Sequence, residues 1–147
     1  MSAANQPDER AIAVAHAHAA AEASGDLTTT LATLNDDPVY EFQPVGRVFR
    51  GKDIARRYYE HFFAHFSPLT ESFEIRGEWS TLEGLGQEYT VWLRRPDGTR
   101  ERHEIIGILL FGPSGLAGER IYSSERLLRL MLGPIYETTP LEAEEGP

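Results

Sequence analysis

Three side chains in this chain have the chemistry and the setting to move protons: His103, His18 and Glu41. A neutral imidazole both accepts and donates a proton near pH 7. His103 opens the most apolar run of the sequence, "RERHEIIGILLFG" over 100–112, and shares strand parity with Ile105, Gly107, Leu109 and Phe111. Glu104 has the opposite parity, which leaves it to solvent or to pairing with Arg102 or Arg94. His103 is therefore either a general acid or base at a pocket rim or a plain strand end in water or at a subunit contact. Glu41 lies in "VYEFQ", whose register has two solutions. In one, Glu41 is buried with a raised pKa and can act as acid or base. In the other, Tyr40 and Phe42 face inward and Glu41 meets water. His16 and His18 lie on nearly opposite sides of a helix, because two residues advance it by about 200°. His61 and His65, four residues apart, could share a metal, but no clear third ligand accompanies them. The expectation is no metal and no cofactor.

The elements that position these residues can be read in order. Residues 1–8 are polar and expected to fray. Residues 9–24 are alanine-rich and predict a helix ended by Gly25, and Asp26 caps a second, shorter helix to about Leu34. "NDDP" predicts a turn and "VYEFQ" a strand. "GKDIARRYYEHFFAHF" predicts a third helix with Ile54, Tyr58, Phe62 and Phe66 on one stripe. After Pro68 the pattern is of strands, with Asp97-Gly98 in a hairpin turn, then a final amphipathic segment "ERLLRLML". The fold class expected is α+β, a cone-shaped curved antiparallel sheet wrapped around three helices. One domain spans 9–136, and 137–147 is an acidic tail expected to be disordered. A cavity between sheet and helices would be lined by Tyr58, Phe62, Tyr89, Val91 and Ile105, with room at Gly107.

A net charge of −9 without a cluster of Lys and Arg among aromatics argues against nucleic acid and anionic membrane. No cysteine is present, which removes thiol catalysis and cysteine-held zinc. No leader pattern or membrane span is visible, so a cytoplasmic location is expected.

"SGDL", "LNDDPVYEFQPVG", "FRGKDIARRYYEHF" and "GERIYSSERLLRLMLG" resemble the nuclear transport factor 2-like superfamily, in particular its SnoaL-like and ketosteroid-isomerase-like branch. The resemblance spans roughly residues 10–134 and implies a homodimer that binds a small hydrophobic ligand. The family's catalytic residues are mostly replaced. The isomerase base falls on Phe42 or Gln43, its tyrosine on His18 and its protonated acid on Gly107. The polyketide-cyclase aspartate falls on Ser124, which is expected to line the ligand site, or on Ser123, and the epoxide-hydrolase positions on Tyr89, Val91 and Ile121. The acid–base pair of phenazine-biosynthesis relatives falls on Tyr58 and His103. Two functions follow from the resemblance: a cofactor-free isomerase, cyclase or dehydratase using His103, His18 and Glu41, or a binding module that kept the pocket and lost the acids.

Overall fold

The computed structural model describes residues 8–141. Asp8 accepts a hydrogen bond from the Arg10 amide and starts α1 (Glu9–Ser24), which Gly25 ends at a φ of 76° that side-chain-bearing residues rarely adopt. Asp26 likewise caps α2 (Leu27–Ala32) through the Thr29 amide. This helix stops short of Leu34, which is buried as the first residue of β1 (Leu34–Gln43). The expected "NDDP" turn is absorbed into that strand as a register shift between Leu34 and Val39. There β6 comes so close that a side chain on Gly118 would overlap the Val39 carbonyl.

β2 (Arg47–Arg50), α3 (Lys52–His61), β3 (Thr70–Ser80), β4 (Gly84–Arg94), β5 (Arg100–Phe111), β6 (Leu116–Tyr122), α4 (Glu125–Leu132) and α5 (Ile135–Thr138) complete the chain. The strands form one sheet in the order β2-β1-β6-β5-β4-β3. The sheet is mixed, not antiparallel throughout, because β1 runs parallel to β6. No tight turn joins these two strands, so neither is forced to reverse against the other. The α+β cone is otherwise as expected.

α3 buries Ala55, Tyr58 and Tyr59 and passes into a π-helical turn, Phe62–Phe66. Tyr59, outside the expected stripe, is fully buried, whereas Ile54 and Phe62 are half-buried. On the concave face of the sheet Tyr40 stacks on Phe49 at 4.7 Å, and Phe42, Tyr58 and Tyr59 close around them. Burying each such ring contributes on the order of 1.5–3 kcal/mol.

The segment after residue 136 is not wholly a free tail. The Tyr136 ring lies between the Arg47 and Arg129 guanidinium groups, Arg47 donates to the Thr139 carbonyl at 2.8 Å, and Leu141 bridges to Arg47. Residues 137–141 are thus tied to β2, while 1–7 and 142–147 lie outside the described residues. No helix among the described residues is long and apolar enough to cross a membrane.

Candidate functional site: a buried proton network beneath the first helix

Alanines let α1 lie close to the sheet, and His18 drops from it into the core with no exposed surface. Its Nδ1 is 2.7 Å from Thr33 Oγ1, whose own hydrogen goes to the Thr30 carbonyl at 2.7 Å. Thr33 must therefore accept, and Nδ1 carries a hydrogen. Nε2 faces Glu22 Oε1 at 2.7 Å and Glu119 Oε2 at 3.7 Å, both acceptors when ionised. Both ring nitrogens then carry hydrogen, and His18 is an imidazolium.

The hub of the site is the Tyr59 hydroxyl. It lies 2.7 Å from Glu22 Oε1, 2.7 Å from Tyr40 Oη, 3.0 Å from Glu119 Oε2 and 3.1 Å from His18 Nε2. A phenol has one hydrogen, which cannot satisfy two carboxylates at once. The arrangement is satisfied if Tyr59 donates to Glu22, and Tyr40 and a protonated Glu119 donate to Tyr59. One imidazolium, one carboxylate and one carboxylic acid give a neutral buried cluster, which avoids the cost of an uncompensated charge.

The electrostatics agree with this count. Burial, followed by repulsion from Glu22, pushes the Glu119 carboxyl up to about 7. Burial alone would lower the His18 pKa, but the Glu22 charge and the bonds to both carboxylates override it and raise it to about 10. Burial also opposes ionisation of Glu22, yet His18 holds its carboxyl below the usual range. Burial and the two carboxylates push Tyr40, Tyr58, Tyr59 and Tyr89 above the ordinary phenol range.

His18, Glu22 and Glu119 are also the one trio found among the described residues whose ligand atoms approach as a metal would need, within 4.8 Å of one another. As folded, however, the Tyr59 hydroxyl stands among these atoms and both imidazole nitrogens are protonated. A cation would have to displace the phenol and take the place of the Nε2 proton, so the donor set suits a proton better than a metal.

His103 does not join this network. On β5 it is six residues from Leu109, the partner of Glu119, or about 20 Å along the strand. Its Nδ1 is 3.0 Å from Ser124 Oγ and its Nε2 is 3.1 Å from Glu101 Oε1. Glu41 joins neither group. Tyr40 and Phe42 take the concave side, and Glu41 pairs with Arg120 at 3.2 Å on the convex side. The alternation of the aromatics settles the register and sends Glu41 outward.

Of the expected lining residues, Tyr58, Val91 and Ile105 are closed into the core, Phe62 and Tyr89 are half-buried, and Ser124 is exposed as the α4 cap. Two hollows of about 340 and 300 Å³ lie elsewhere, against α3 and the C-terminal segment, and none of these residues borders them. Two features of the concave face remain open. A side chain added at Gly107 would meet nothing within 4 Å. Phe73 and Ile75 share the concave face with Val91 and Tyr89, yet each is about half exposed, at 53% and 50%. The helices leave that part of the sheet uncovered.

Sequence reasoning missed Glu22, Tyr59, Glu119 and Glu101. Glu22 follows His18 by one helical turn, and Glu119 shares strand parity with the apolar Ile121. Those spacings were the available signals.

The α+β cone recurs among solved structures. No protein-family model and no curated protein matches the chain. Its fold is shared with a steroid delta-isomerase from Pseudomonas aeruginosa (TM-score 0.67, 12% identity, 90% of this chain and 95% of that one). A nuclear transport factor 2-like protein of unknown function from Burkholderia pseudomallei superposes with a TM-score of 0.66 at 12% identity, over 86% of this chain and 99% of that one. A third, from Burkholderia xenovorans, gives 0.60 at 20% identity over 79% and 84%. The chain has the nuclear transport factor 2-like fold.

Proposed function

We propose that the chain is a cofactor-free acid–base enzyme for a small apolar molecule with an ionisable C–H, which it isomerises or dehydrates. Glu119 is the group that exchanges the proton in this reading. The observation that carries it is the proton count at Tyr59, which leaves a carboxylic acid in the core whose pKa lies near neutrality. General acid–base groups work best when their pKa is close to the operating pH. The gap at Gly107 is diagonal to Glu119 on the same face, since Gly107 pairs with Ile121 and Leu109 with Glu119. Such neighbours lie within about 8 Å, within reach of a ligand atom.

Incubation in D2O with a panel of apolar enolisable ketones tests the reading. Deuterium should enter a bound ketone with wild-type protein, and Gly107→Leu should weaken binding by more than about tenfold by filling the gap. Binding without exchange would favour the second reading, a noncatalytic binding module. The enclosure of His18 and Tyr59 supports that alternative. A panel that neither binds nor exchanges would remove both.

A homodimer belongs to the same proposal. Trp79, Ile106 and Tyr122 stand exposed on the convex sheet face, where a second copy could cover them. Ile106→Glu with Tyr122→Glu should turn a dimer into a monomer in sedimentation; a wild-type monomer would refute it.

A further inference from the structure

At the far end of β5 lies a second set of reactive side chains that the proton network does not use. Glu101 accepts from Arg126 at 2.5 and 2.7 Å and also pairs with Arg95. Arg126 in particular holds the Glu101 carboxyl well below the usual range, so it is ionised and can only accept. The hydrogen between Glu101 and His103 therefore sits on Nε2. In the neutral imidazole Nδ1 is then a lone pair, and Ser124 Oγ, 3.0 Å away, points its hydrogen at it. Serine hydroxyl to imidazole to carboxylate, with the hydrogens oriented this way, is the polarity that activates a serine nucleophile.

The surroundings fit the chemistry. Ser124 is exposed, whereas the side chains behind it are not: His103 is 11% and Glu101 16% exposed. Ser124 caps α4, whose Leu127 amide it already binds. The amides of Glu125 and Arg126 belong to the first turn and have no partner within the helix, so they can face an oxyanion. Phe73 pairs with Val91 and Val91 with His103, so the half-exposed Phe73 lies on the same face as the imidazole, with buried Val91 between them.

We propose that Ser124, with His103 as its base and Glu101 holding the imidazole, is a nucleophile that takes acyl groups from small esters with an apolar acyl chain. The Ser124 Oγ–H bond breaks, its proton passes to His103 Nδ1, and Oγ bonds to the carbonyl carbon. The ester C–O bond then breaks, and the leaving oxygen takes its electron pair and the proton from Nδ1. Water completes the turnover: it gives a proton to Nδ1 as its oxygen bonds to the acyl carbon, the Oγ–C bond breaks, Oγ takes the proton back from Nδ1 and the carboxylic acid leaves, while Glu101 stays ionised throughout.

The test uses 4-nitrophenyl butyrate and a fluorophosphonate on the full chain, read by nitrophenolate release, intact mass and peptide mapping. Wild-type protein should carry one adduct on Ser124. Ser124→Ala and Ser124→Asp should carry none, the second while keeping the helix cap. His103→Gln should label more slowly by about 10²-fold or more with an unchanged melting temperature. Glu119→Gln should label as wild type does, which separates this proposal from the isomerase reading. No adduct on wild-type protein, an adduct elsewhere, or equal labelling of folded His103→Gln would overturn it. If His103→Gln does not fold, Glu101→Gln is the second variant, and its labelling should also slow.

Discussion

His18→Ala is expected to remove about 3–5 kcal/mol of stability, the usual cost of breaking a buried pair by deleting one partner. The reason lies in what stays behind. Without the imidazolium, Glu22 Oε1, whose side chain is 24% exposed, keeps only Tyr59 among its protein donors, and the enclosed Glu119 stands beside it without a balancing charge. One of the two carboxyls must then stay protonated, or the ionised pair repels without compensation. Thr33 also loses the donor on its Oγ1. His18→Gln keeps some hydrogen bonding but no charge, and should fall between wild type and alanine. Urea unfolding followed by far-ultraviolet circular dichroism gives the numbers; a His18→Ala protein as stable as wild type would show that the cluster is not charge-balanced as described.

Glu119→Gln separates the role of this site in stability from its role in chemistry. The amide is nearly isosteric and can still donate to Tyr59, so the fold should survive. Any proton exchange at the site should fall by about 10²–10⁴-fold. The pH dependence provides the sign. Glu119 titrates at about 7 in the folded protein against 4.5 ordinarily, so its contribution is full below 4.5 and is lost as pH rises through 7. His18 titrates at about 10 against 6.5, so its contribution is full below 6.5 and is lost as pH rises towards 10. Wild-type stability should therefore fall steadily from about pH 5 to pH 9, the Glu119 part being on the order of 2 kcal/mol. Glu119→Gln should keep the upper limb and lose the lower one. Equal wild-type stability at pH 5 and pH 8 would contradict this assignment.

The α+β cone and its helix caps at Asp26 and Gly25 were legible in the sequence, because these are local effects of hydrophobic period and backbone preference, whereas Asp8, expected to fray, caps α1. The parallel pairing of β1 with β6 was not, since it joins segments some eighty residues apart and no local pattern encodes it. The site was half legible. His18 and His103 were identified, and both are engaged by carboxylates, Glu22 and Glu119 for one and Glu101 for the other. Those acids were passed over because a charged residue on a strand or helix is ordinarily solvated, and only the fold shows which are not. Tyr59 was hidden because the stripe of Ile54, Tyr58, Phe62 and Phe66 assumed a strict four-residue spacing, whereas the buried face of α3 is Ala55, Tyr58 and Tyr59, one step round the helix.

The Tyr59 hub also has a stereochemical consequence. Tyr59 covers Glu119 from α3 and Tyr40 stands beside it on β1, while open space lies at Gly107, diagonal to Glu119 on the same face. A flat ligand lying there would meet its acid–base group from one side. The proton taken from it and the proton returned to it would use the same face, so transfer would be suprafacial and a new stereocentre would form with a single configuration. An isotopic label at the abstracted position should then divide, part returning to the product and part being replaced from solvent, because the enclosed carboxyl exchanges its proton with solvent slowly enough for return to compete.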